Sequence, residues 1–245
     1  MTLFLSRVTL ARNPATTALK ALIDPAESPS GQRLHDPDRG RIMDAHHRLI
    51  WALFADGTTR DFLWRTEGQG RFLILSARAR AADGAGLFDR PEVKPFAPDL
   101  RSGDRLAFVL RANATRTRKT ATDPGARGAR VDVVMNALYD LPSGRNSDDR
   151  RNSRMAAATS AGQDWLAGQG AQAGFALHSF EAADYTVVRL PAHTGRRGGQ
   201  PQFGVIEAAG VLTLTDPSAF LPRLAAGFGR ARAFGCGLML IRRAG

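Results

Sequence analysis

The sequence predicts an α+β fold of ferredoxin-like order, on two observations. Up to residue 113 the chain reads strand, helix, hairpin, loop, strand, which is a ferredoxin-like half lacking a clear second helix. After residue 130 a second, less regular series of helices and strands follows.

Residues 3–11 alternate apolar and polar side chains with β-branched members and read as a strand. Residues 24–41, rich in Pro, Gly, Ser, Asp and Arg, read as a loop, and Ile42 to Phe54 as a helix. Residues 61–67 and 71–80 form a hairpin around Gly68 and Gly70. The polar, proline-punctuated stretch 81–103 reads as loop and 105–113 as a strand. Residues Val131 to Leu138 fit either a strand or the start of a helix. The alanine-rich stretch 155–173, with Trp165 and Leu166, reads as a helix despite three glycines. Strands are expected at 175–181, 185–190 and 203–214, the last bent at Gly210. Asp216 caps a helix over 217–226 with Pro217 at its first position, and Gly237 to Arg243 closes the chain as a strand.

A formal net charge of +11 and a pI near 11.2 point to a polyanionic partner, most simply nucleic acid. Nearly all the positive charge is arginine, since Lys20, Lys94 and Lys119 are the only lysines. One cysteine, Cys236, excludes an intrachain disulfide and a cysteine-cluster zinc site. No run is apolar enough to span a bilayer and no signal peptide is visible, so a cytoplasmic, soluble protein with no membrane partner is expected. No Walker A or Gly-x-Ser-x-Gly sequence is present. The five histidines (His35, His46, His47, His178, His193) show no metal-ligand spacing. No metal or other cofactor is expected. RNA cleavage needs none, because the 2′-hydroxyl is a built-in nucleophile that requires only proton transfer and cations for the developing phosphorane.

The most distinctive motif is Gly227-Phe228-Gly229-Arg230-Ala231-Arg232-Ala233-Phe234-Gly235-Cys236-Gly237, four glycines in eleven residues with two arginines between them. Glycine permits φ > 0 and close approach of another chain. Exposed amides in such a turn form an anion-binding concavity, and arginine adds forked donors. The alternative is a tight turn joining helix to strand.

This motif resembles the C-terminal glycine-rich loop of the CRISPR-associated repeat-RNA endoribonucleases, in particular the CasE-type subunit of the type I-E Cascade complex. Thr2 to Arg12 resembles that family's first strand, His47 to Phe54 its first helix, Arg60 to Arg65 its second strand, and Leu106 to Thr115 its "FRLRANPT" strand with Ala114 in place of proline. The resemblance implies two tandem ferredoxin-like domains. Here they are drawn as 1–113 with the catalytic helix, a basic linker over 114–130, and 131–245 with the glycine-rich loop. It further implies cleavage of CRISPR precursor RNA at the 3′ base of the repeat hairpin by 2′-hydroxyl attack. The enzyme is then expected to stay on the crRNA beside other Cascade subunits.

Helix geometry separates the adjacent histidines. Ile42, His46, Leu49 and Leu53 share one apolar stripe, which makes His46 a satisfied core residue, while His47 lies over 90° away. The family's catalytic histidine stands three residues before a Leu/Ile-Trp pair, which is His47 here. Asp44 occupies a position where some relatives carry tyrosine. It either orients His47 or is a first-turn carboxylate favoured by the helix dipole. The RNA contacts expected are Arg48 beside the histidine, Arg111, Arg116, Arg118 and Lys119 at the strand end and linker, and Arg196 and Arg197 at a basic hairpin tip. From the loop come Gly227, Gly229, Arg230, Arg232, Gly235 and Gly237. A non-catalytic hairpin-RNA-binding subunit, or a basic structural protein of a ribonucleoprotein, would share the charge.

Overall fold

The computed structural model describes residues 2–11, 37–54, 60–79, 87–118, 128–139, 147–190 and 201–245. The first half contains β1 (Phe4–Thr9), α1 (Pro37–Leu53), β2 (Phe62–Gly68), β3 (Arg71–Ser76) and β4 (Glu92–Pro95). These strands form an antiparallel sheet in the order β2-β3-β1-β4. The helix starts five residues before the expected Ile42, with Pro37 at its head, where a missing amide costs nothing. Strand β4 lies within the stretch read as loop. It is a four-residue edge strand carrying charge and a proline, devices that protect an edge and hide its pattern.

The strand expected to close the first half does not belong to it. As β5 (Arg105–Ala112), it pairs with β9 (Gln202–Leu214) and β10 (Met239–Arg243), and β8 (Phe175–Arg189) completes the order β10-β5-β9-β8. The passage between sheets therefore falls between β4 and β5 rather than after residue 113. The cause is side-chain alternation: Leu106, Phe108, Leu110 and Ala112 are buried in the second core. Counted from β5, the second sheet has the same strand order as the first, so the chain is a tandem of two ferredoxin-like sheets. Strands β6 (Thr115–Arg118) and β7 (Ala129–Asp132) pair as a hairpin where a linker was expected. The ambiguous stretch is both options in turn, β7 and then α2 (Val133–Tyr139). Helix α3 (Ser147–Ala173) starts eight residues early, and β8 runs continuously through two register shifts where two strands were expected. Helix α4 (Pro217–Ala226) begins as expected: Asp216 accepts from the amides of Ser218 and Ala219 at 2.9 and 3.3 Å.

Each sheet has its own core. Ile50 of α1 and Phe54 just beyond its end pack with Phe62, Trp64, Phe72 and Ile74, and α3 and α4 cover the second sheet through Ala158, Leu166, Phe220 and Leu224. Two further clusters join the halves. Leu63, Leu73 and Leu75 of the first sheet meet Leu238, and Met43 of α1 meets Val188, Val205 and Cys236. Arg39 fastens the same helix to β8, donating to Asp184 Oδ2 at 3.1 Å and Thr186 Oγ1 at 2.8 Å.

A buried polar node holds α2 against the second sheet. Asp132 Oδ1 accepts from the amides of Val134 and Met135, both at 3.0 Å, and from the Tyr185 hydroxyl at 2.9 Å. Burial raises the carboxyl pKa of Asp132 and the phenol pKa of Tyr185. Removing the phenol leaves a buried carboxylate short of one donor. Tyr185→Phe should therefore lower stability by about 1–2 kcal/mol in urea unfolding, with an unchanged far-UV spectrum.

Candidate active site

Helix α1 sends its two histidines into opposite environments. His46 is 3 % exposed and sits edge-on to Phe72 and Trp64, with ring centroids 4.9 and 6.1 Å away. It is core, as its stripe implies, but not satisfied, because Nε2 is buried without a hydrogen-bond partner. Burial, then the nearby charge of Arg111, push its pKa down to about 4.

His47 faces the glycine-rich loop. Its Nδ1 stands 2.9 Å from the Ala233 carbonyl oxygen, and its ring lies beside Phe234 and Trp51 at 5.4 and 6.0 Å. A carbonyl only accepts, so Nδ1 is the donor, and in the neutral imidazole Nε2 then carries the lone pair. The loop thereby fixes the tautomer and aim of the ring. Asp44 does not have the first-turn position that one of its two expected roles requires. It lies beyond the first turn because α1 starts early, and it is buried, paired at 3.2 Å with Arg48, whose side chain is largely exposed.

The loop is closed on its own protein rather than open as an anion nest. The amides of Gly227, Phe228, Arg230 and Gly237 donate to the carbonyls of Arg223, Gly237, Asn113 and Arg111 at 2.7–3.0 Å. The glycines serve close approach within the chain. At Gly235 (φ 76°) a Cβ would stand 2.9 Å from the Trp64 ring, and at Gly229 (φ 79°) 2.6 Å from the Asn113 carbonyl.

The arginines divide by direction. Arg232 turns inward, donating to the Gly229 and Gly227 carbonyls at 3.2 and 3.1 Å. Arg111 also turns inward, its Nε on Glu207, which Arg65 of the first sheet approaches at 3.8 Å. Both were expected to face RNA; Arg111 Nε and the Nε and Nη2 of Arg232 are engaged within the fold. Arg230, Arg116 and Arg118 are exposed. Lys119, Arg196 and Arg197 lie outside the described residues. Arg60, which was not among the expected contacts, lies close enough to Arg232 for the two charges to repel; burial and that repulsion lower its pKa, and Arg230 acts on Arg232 in the same way. A carboxylate-poor cluster of arginines at one loop is an anion-seeking surface. Only the charge of the Arg60–Asp61 segment hinted at it, because the two ends of the cluster are far apart in sequence. Among the described residues no three His, Cys, Asp or Glu side chains gather as a metal-binding set. Nor is any helix among them long and apolar enough to cross a membrane.

Two outcomes follow from this geometry. The folded pKa of His46 lies below its ordinary 6.5, so below pH 6.5 the unfolded chain takes up a proton that the folded chain refuses. Stability should fall as pH drops from 6.5 to 4, by about 3 kcal/mol in all, and His46→Leu should flatten that part of the urea-midpoint profile. Gly235→Ala, which sets a methyl against Trp64 at positive φ, should displace the Ala233 carbonyl. The measurable result is a histidine ring resonance of His47 shifted by NMR, while His46 keeps its own.

The family model described as "CRISPR associated protein" matches residues 3–243. No curated protein matches the chain. Among solved structures, a CRISPR endoribonuclease Cse3 bound to 19-nucleotide RNA is similar over 99 % of this chain and 100 % of its own, at 21 % identity and a TM-score of 0.59. Thermus thermophilus Cse3 bound to an RNA representing a pre-cleavage complex covers 99 % and 100 %, at 23 % and 0.57. A chain of a CRISPR RNA-guided surveillance complex, pre-nicking, covers 98 % and 100 %, at 18 % and 0.55. These likenesses are to the fold, whereas the family match spans nearly the whole sequence. A match that runs from residue 3 to residue 243 places the sequence plainly: the chain belongs to the CRISPR associated protein family.

Proposed function

We propose that this protein is a metal-independent endoribonuclease that processes CRISPR precursor RNA. It cuts at the 3′ base of the repeat hairpin and remains on the crRNA within the Cascade surveillance assembly. The observation that carries the reading is the bond between His47 Nδ1 and the Ala233 carbonyl, because it leaves Nε2 as the proton acceptor beside a basic loop. The similar Cse3 structures hold RNA, and another similar chain comes from a surveillance complex, which supports the substrate and the assembly.

In this mechanism Nε2 of His47 takes the proton of the 2′-hydroxyl while that oxygen attacks the adjacent phosphorus. The bond to the 5′-oxygen breaks and that oxygen takes a proton from water, leaving a 2′,3′-cyclic phosphate on one product and a 5′-hydroxyl on the other. Arg60 and Arg230 place positive charge around the loop, where the phosphorane's negative charge would develop. Asp44 is paired with Arg48 and its carboxyl group is no phenol, so its part is to position that arginine.

Purified protein incubated with its own repeat RNA in EDTA should give discrete cleavage, and a 2′-deoxy nucleotide at the cut should abolish it. His47→Ala should slow single-turnover cleavage by roughly 10²–10⁴-fold with hairpin affinity little changed. A near-native rate in that variant would remove His47 from the chemistry. Tight binding with no cut by the unmodified protein would make it a non-catalytic hairpin-binding subunit.

A further inference from the structure

A groove of about 1180 Å³ lies outside the His47 site. It begins where Gly229 and Arg230 leave the loop and runs along α3, walled by α2 and the β6–β7 hairpin. Its volume exceeds that of ordinary small-molecule pockets, roughly 300–1,000 Å³. Arg116, Arg130, Arg223 and Arg230 line it against one carboxylate, Asp164. Arg223 is anchored, bonded to Gln169 and lying 5.0 Å over the Phe228 ring. The other three are exposed and have no carboxylate partner among the described residues. Trp165 lies half-buried at the loop end, 3.3 Å from where a Cβ on Gly229 would stand.

Several cations along an extended groove suit a polyanion better than a single small anion. An indole in the lining suits unpaired bases, because the faces of paired bases are already covered in a duplex. We infer that this groove holds a single-stranded RNA segment flanking the hairpin, with phosphates on Arg116, Arg130 and Arg230 and a base against Trp165. Arg230, shared by the loop and the groove, hands the strand from one to the other. This assignment rests on the RNA-processing reading above.

The test compares three RNAs with the full-length protein: the bare repeat hairpin, and the hairpin with a single-stranded 5′ or 3′ flank. One flank should raise affinity about tenfold at low salt, and the log–log salt dependence should steepen by about 0.7 for each added phosphate contact. Arg130→Glu, a change at an exposed position, should abolish that gain while hairpin binding and cleavage stay as they are. Trp165→Leu should reduce the gain without altering the salt slope, since stacking carries no counterion release. Equal affinity for all three RNAs, in a protein that cuts the bare hairpin, would overturn the groove assignment and leave the endoribonuclease reading intact. No binding or cutting of the bare hairpin would instead strike the underlying reading. If Arg130→Glu keeps the full flank gain yet no longer co-purifies with partner subunits, the groove belongs to protein and not RNA.

Discussion

The position of α1 is the constraint on which the rest of the site depends. The helix belongs by its core face to the first sheet, where Ile50 and Phe54 are buried. By its other flank it is fixed to the second, through Arg39 on Asp184 and Thr186 and through Met43 on Val188 and Val205. That double attachment sets the distance from His47 to the loop before β10. Without the second attachment the two halves would be tied mainly by the leucine cluster around Leu238 and by the charges of Arg65, Arg111 and Glu207.

A formal charge of +11 is a poor map of where positive charge faces outward. Arg111 and Arg65 share Glu207 inside the fold, Arg78 holds Asp61 through two bonds at 2.5 and 2.7 Å, and Arg232 braces the loop's own carbonyls. The inward arginines still act on the chemistry indirectly. Burial, with the charge of Arg111 beside it, keeps His46 neutral near neutral pH.

Much of this was readable from residue patterns, and what was missed has definite causes. The separation of His46 from His47 followed from helical periodicity, and the cap at Asp216 from local chemistry. Strand β4 was invisible because an exposed edge needs no alternating pattern. The partner of β5 was misjudged because a strand's sequence shows which side chains are buried, not which sheet buries them. The shared strand order of the two halves left no trace in sequence, since backbone pairing tolerates almost any apolar residue. Loop glycines read as room for RNA are room for Trp64 and the Asn113 carbonyl. The burial of an unpartnered imidazole nitrogen could not be read at all, because it depends on three strands and a helix converging.

The four amide bonds that close the loop bear on the entropy of the proposed reaction. A glycine-rich segment left open would sample many conformations and would have to be ordered by each RNA that arrived. Here the ordering is completed during folding, since Asn113, Arg111, Arg223 and Gly237 supply the acceptors. The Ala233 carbonyl is thus already aimed at the imidazole in the free protein. Preorganisation of this kind shifts cost from the binding step to the stability of the fold. Because every one of those acceptors is a main-chain carbonyl, the ordering is tied to the path of the backbone and not to the side chains along it.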